Sequence, residues 1–119
     1  MSIAVQKDLK ITITKGDYGL VRLSILQDGQ PSPFTTGDVI RFIVKEFPSA
    51  DATLIQKEVT LFADGVAEIQ IESADTQDLK LKTYIYGVQW IDQLGNVRTI
   101  VPGADHPHDY PQFEVVAGL

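Results

Sequence analysis

From Leu9 to Thr14 the chain alternates strictly, with Leu9, Ile11 and Ile13 apolar and Lys10, Thr12 and Thr14 polar. A period of two puts one set of side chains on each face of an extended strand, whereas a helix would scatter the same residues around its axis. The pattern returns along the sequence. Val21, Leu23 and Ile25 alternate with Arg22 and Ser24, and Ile40, Phe42 and Val44 alternate with Arg41 and Lys45. Two further runs, Leu54 to Leu61 and Val66 to Ile71, flank Asp64-Gly65, a pair suited to a hairpin turn. The longest run is Thr83 to Ile91, with Tyr84, Tyr86, Val88 and Trp90 on one face and Ile85, Gly87, Gln89 and Ile91 on the other. Val97 to Val101 and Phe113 to Val116 complete the set, and Leu9 to Thr14 and Phe113 to Val116, with few charges to block pairing, are the expected edge-forming segments.

Turn chemistry separates these runs. Lys15-Gly16-Asp17, Asp28-Gly29 and the segment Asp92 to Asn96 with Gly95 carry residues that tolerate positive φ, while Pro31, Pro33, Pro48 and Pro102 remove ladder donors. The one helical candidate starts with Ser73 as N-cap and Asp75 in the first turn, and it cannot pass Leu79. Seven to eight short strands with one helical turn predict an all-β, immunoglobulin-like antiparallel β-sandwich occupying residues 1–119 as a single domain. A closed barrel is the alternative. The segment Asp78 to Tyr84 favours the sandwich, because it resembles a tyrosine corner, in which a Tyr opening a late strand bonds backbone just upstream. The competing reading makes Tyr84 an ordinary half-buried strand aromatic.

Charge and composition exclude several functions. Ten basic side chains against 16 acidic ones give a net charge of −6, a field of the wrong sign for nucleic acid phosphate or anionic lipid. The basic residues are also scattered, so no nucleic-acid or membrane partner is expected. No apolar run approaches the roughly 18 residues of a membrane-spanning helix, and the first residues lack a secretory leader pattern. With no cysteine, disulfides, thiolate metal sites and a cysteine nucleophile are ruled out.

The polar constellation with the most chemical potential is Asp105-His106-Pro107-His108-Asp109, which holds both histidines of the chain. Imidazole and carboxylate suit zinc or nickel, and an extended His-x-His places both rings on one side. Without cysteine, a zinc site would need a further carboxylate such as Glu114. Proline, Asp and His are equally common in solvated loops, and that is the reading adopted: no metal and no cofactor. No serine has a nucleophile-elbow setting, no carboxylate pair is singled out by spacing, and glycine-rich phosphate loops are missing, so no enzymatic activity is expected. Tyr84, Tyr86 and Trp90 share a strand face at a spacing that could stack sugar rings, but such a row is more often core. Tyr18 and Tyr110, in turn and loop, are the better exposed contact residues.

The late strands carry a resemblance. Tyr84-Ile85-Tyr86-Gly87-Val88-Gln89, then Asp92 to Gly95-Asn96-Val97-Arg98-Thr99, then Pro102-Gly103, look like the closing half of the N-terminal domain of phage baseplate upper proteins. Lys15-Gly16-Asp17, the Val39 to Lys45 strand, Ile55-Gln56-Lys57-Glu58 with Asp64-Gly65, and Asp75-Thr76 fit the same pattern. Two features depart from it: Gly87 stands where the family commonly has Asp, and the loop Ala104 to Gln112 is longer. Family members often continue into a receptor-binding or fibre part, while this chain ends at Leu119.

The resemblance implies a structural role in a phage or prophage virion, as a tail or baseplate adaptor, spacer or decoration domain. It also implies other virion proteins as partners and a three- or six-fold homo-oligomer, made in the host cytoplasm. A carbohydrate-binding or adhesin-like immunoglobulin domain is the second reading. The solvated-loop assignment makes a direct prediction: replacing His106 and His108 together by Ala should leave the denaturant midpoint equivalent to wild type within about 0.5 kcal/mol, as for ordinary surface changes. Micromolar zinc binding by calorimetry, lost in that double variant, would overturn it.

Overall fold

The computed structural model describes residues 3–5, 10–27, 30–31, 37–63, 66–101 and 109–118. The strands are β1 (Ile3–Val5), β2 (Ile11–Thr14), β3 (Gly19–Gln27), β4 (Gln30–Pro31), β5 (Val39–Lys45), β6 (Ile55–Val59), β7 (Phe62–Ala63), β8 (Val66–Ile71), β9 (Thr83–Ile91), β10 (Val97–Val101) and β11 (Gln112–Val116). A single short helix, α1 (Ser73–Gln77), links β8 to β9.

Two sheets form. One has the order β1-β3-β8-β7, with β4 also on β3, and the other has the order β2-β11-β9-β5-β6, with β10 also on β9. This arrangement, with one four-stranded path and a second sheet closed by a parallel strand beside the last strand, is the immunoglobulin-like sandwich. Apart from the parallel pair β2–β11, each strand pair is antiparallel.

Strand β9 is the axis of the larger sheet. Along one side it pairs with β5 from Val39↔Ile91 to Lys45↔Ile85. Its first residues pair on the other side with β11, through Phe113↔Tyr84, and its last residues with β10, through Val97↔Ile91. Thus β10 and β11 share one flank of β9, end to end. Where they meet, a Cβ on Gly87 would lie 3.1 Å from the Val101 carbonyl oxygen, so the position has little room for the Asp common in the resembled family. A register shift between Thr99 and Val101 turns both Ile100 and Val101 inward, which strict alternation would forbid.

The core joins both sheets. Ala67, Ile69, Ile71 and Leu23 from the smaller sheet meet Ile40, Phe42, Val44, Tyr84, Tyr86, Val88, Phe113 and Val115 from the larger. Phe42 sits at the centre, fully buried, with its ring centroid 5.3 Å from that of Tyr86 and 6.2 Å from that of Phe113.

Four expectations change. Among the described residues there are eleven strands rather than seven or eight, because two-residue and three-residue strands fall below what alternation can signal. The run Leu54 to Leu61 is not one strand: β6 ends at Val59 and the chain crosses to the other sheet as β7. Phe113–Val116 is not an edge, since β11 lies between β2 and β9; of the two expected edges only β2 ends its sheet, and β6 ends it on the other side. The helix N-cap is Glu72 rather than Ser73, because the Asp75 carboxylate accepts the Glu72 backbone N–H at 2.7 Å. Removing the central ring, Phe42→Ala, should cost about 3–5 kcal/mol in equilibrium unfolding; a loss below about 1 kcal/mol would mean the ring is not the packing centre.

Candidate functional site

The segment entering β9 is tied down before the strand begins. The Tyr84 hydroxyl donates to the Lys80 carbonyl at 2.9 Å, the geometry of a tyrosine corner. Lys82 bonds the Glu46 carboxylate and lies over the Tyr84 ring, 5.4 Å from its centroid. That bond, with the lysine charge behind it, holds the Glu46 carboxyl below its ordinary range. The Gly16 backbone N–H donates to the hydroxyl of buried Thr76 at 2.9 Å, and the Asp17 N–H to the Thr14 carbonyl at 3.0 Å. The second bond closes the first turn of the larger sheet, and the first joins that turn to α1.

Tyr84 and Tyr86 are buried and Trp90 is half-buried beneath Arg98, whose guanidinium lies 5.9 Å from the indole centroid. The row therefore points into the sandwich and offers sugar no flat platform. Tyr18 is exposed, whereas Tyr110 is half-buried against the outer side of Gly87. His106, His108 and Asp105 lie outside the described residues. Asp109 is exposed, and Glu114 pairs with Lys10 at 3.5 Å. Among the described residues no group of three or more His, Cys, Asp or Glu side chains could hold a metal ion.

The β9–β10 hairpin is a rigid tip. The Asp92 carboxylate accepts the backbone N–H groups of Leu94 and Asn96, each at 2.9 Å, and the Asn96 side-chain amide at 3.2 Å. Gly95 takes φ 85° to close the turn, a conformation that costs other residues. Leu94 stands at the apex with 87% of its surface exposed.

A concavity lies along the side of the sandwich, where the chain passes from β6 to β7. It encloses about 570 Å³ and is bordered by Glu58, Val59, Leu61 and Phe62 on one side and by Glu68 and Glu72 on the other. Leu61 is 87% exposed at its lip. β7 covers β8 only at Val66 and Ala67, so the rest of that β8 edge, Glu68 to Ile71, carries no strand among the described residues. Lys57 lies at the helix end of this concavity and pairs with Asp75 at 2.8 Å and Glu72 at 3.7 Å. The sequence reading missed the groove. Its only local trace is the spacing of Glu68, Gln70 and Glu72 on one strand face. A smaller hollow of about 110 Å³ sits on the outer face of the larger sheet around Ile43, Ile85, Gly87 and Tyr110, too small for more than a side chain.

No protein-family model matches the chain, and no curated protein does either. Among solved structures it is similar to murine CRIg, with 14% sequence identity, a TM-score of 0.42 and 98% of each chain covered. The strand order, not this likeness, carries the fold assignment.

Two measurements check the local geometry. Tyr84→Phe should destabilise the protein by about 0.5–1.5 kcal/mol, the net worth of one hydrogen bond; an unchanged denaturant midpoint would place the hydroxyl in solvent. Asp92 should titrate below the ordinary aspartate range, held down first by the Asn96 backbone N–H and then by the Asn96 side chain, the Leu94 N–H and Arg98. A depressed folded-state pKa means a stabilising contribution that is complete above the unfolded pKa and lost as pH falls through the folded one. Carboxyl NMR titration showing Asp92 at or above its ordinary value would contradict this.

Proposed function

We propose that this chain is a structural module of a phage or prophage virion, a tail or baseplate adaptor, spacer or decoration domain that docks other virion proteins and performs no catalysis. The observation that supports this best is the side groove: an apolar lip at Val59, Leu61 and Phe62 beside a strand edge that carries no partner strand among the described residues. Free edges and exposed apolar side chains are what a rigid sandwich offers to partners. The resemblance of the β9–β10 region to baseplate upper proteins supplies the setting, and in that setting copies occur in rings of three or six. The inward Tyr84–Trp90 row weighs against the carbohydrate-binding alternative.

The test is incorporation. An affinity-tagged chain expressed in the strain that encodes it should co-purify with tail particles on a density gradient, in stoichiometric amount. Particles free of the tag, together with saturable binding of the isolated chain on a glycan array, would replace this reading with the carbohydrate-binding one.

A further inference from the structure

Several strands end their sheets among the described residues, and two of the edges left open carry opposite charges. The first is β2, the terminal strand of the larger sheet, which pairs only with β11. Lys10 precedes it and Lys15 follows it, and Lys10, Thr12 and Thr14 share its outward face. The second is the outer edge of β8. Of the six residues of β8, β7 covers two, leaving the four from Glu68 to Ile71 without a partner strand on that side among the described residues. Glu68, Gln70 and Glu72 line its outward face and are all exposed. β2 is itself four residues long.

We propose that copies of this chain assemble by pairing the β2 edge of one with the open β8 edge of the next, the basic edge flanked by Lys10 and Lys15 set along the acidic edge of Glu68 and Glu72. This rests on reading the chain as an assembly module, and it names the contact that does the assembling. Each edge supplies unpaired backbone N–H and C=O groups to the other, and the larger sheet of one copy continues into the smaller sheet of its neighbour. Leu61, exposed at the lip of the groove, is covered in that arrangement.

The charges decide which edges meet. A β2 edge facing another β2 sets lysine against lysine, and a β8 edge facing another β8 sets glutamate against glutamate, so like edges are discouraged. Of these three pairings, the unlike one brings opposite signs together. The present partners of these groups do not compete strongly. Lys10–Glu114 at 3.5 Å, Arg22–Glu68 at 3.6 Å and Lys57–Glu72 at 3.7 Å are long contacts, each with at least one exposed side chain, of the kind worth little in water. Because the two edges are different surfaces, the contact is of the head-to-tail type, which builds rings when the rotation closes.

Light scattering after size exclusion, on the full chain over a wide concentration range, reads the association. Wild type should associate as concentration rises. Glu68→Lys with Glu72→Lys, and separately Lys10→Glu with Lys15→Glu, should each associate about tenfold more weakly, since each sets like charges across the contact. Mixing the two variants should restore association, as one carries two lysine edges and the other two glutamate edges. Circular dichroism identical to wild type shows that both variants fold; Lys10, Glu68 and Glu72 are exposed and Lys15 is half-buried. A wild type that stays monomeric throughout, reversed variants that associate as wild type does, or a mixture that fails to recover would each overturn the contact. A chain incorporated into particles yet monomeric removes this contact and leaves the virion reading; a chain that self-associates as described yet is absent from particles does the reverse.

Discussion

Strand β9 has both of its edges occupied along nearly its whole length, by β5 on one side and by β11 and then β10 on the other. Burial of the Tyr84, Tyr86 and Val88 row follows from that position, because a central strand has no edge through which water reaches its inner face. The neighbours inherit their order from it. Phe42 is placed opposite Val88 and Phe113 opposite Tyr84, so the aromatic centre of the core is assembled by the two ladders of one strand. The Tyr84–Lys80 bond then fixes where β9 starts, and with it the register of every strand that reads from it.

Cross-strand charge reinforces the registers. Arg22 stands opposite Glu68 between β3 and β8, and Arg41 opposite Glu58 between β5 and β6, with Arg41 also donating to Gln89 on β9. On exposed faces such pairs contribute little stability. Their value lies in discrimination, since a one-residue slip would turn the charged side chains into the core and the core residues out to water. An acidic chain can hold strand arginines such as Arg22 and Arg41 in this way, each beside a carboxylate across a ladder.

What could be read from the sequence was what is local. Val66–Ile71, Thr83–Ile91 and Val97–Val101 begin and end where alternation and turn residues place them, because each is long enough to show its period. Ile3–Val5 is three apolar residues with no alternation to display, so β1 left no trace. The run from Leu54 to Leu61 reads as one strand since crossing between sheets changes the partner but not the polarity of the residues. Phe113–Val116 looks like an edge from its own sequence; its interior position depends on Ile11 and Tyr84, distant in the chain. The groove was hidden for the same reason. Glu68 and Glu72 are visible as exposed acids, but nothing near them says that β7 stops after two residues.

The parallel pairing of β2 with β11 has a mechanical consequence. Ile11 to Thr14 runs in the same direction as Phe113 to Val116, so tension drawn through the start of one strand and the end of the other pulls the two past each other. The slanted, evenly spaced bonds of a parallel ladder are then loaded together, in shear, and must fail together. An antiparallel hairpin pulled at its open end would instead unzip one bond at a time. The sandwich is thereby closed by the seam that best resists a pull along the chain, and its lifetime under load is set by a single cooperative rupture.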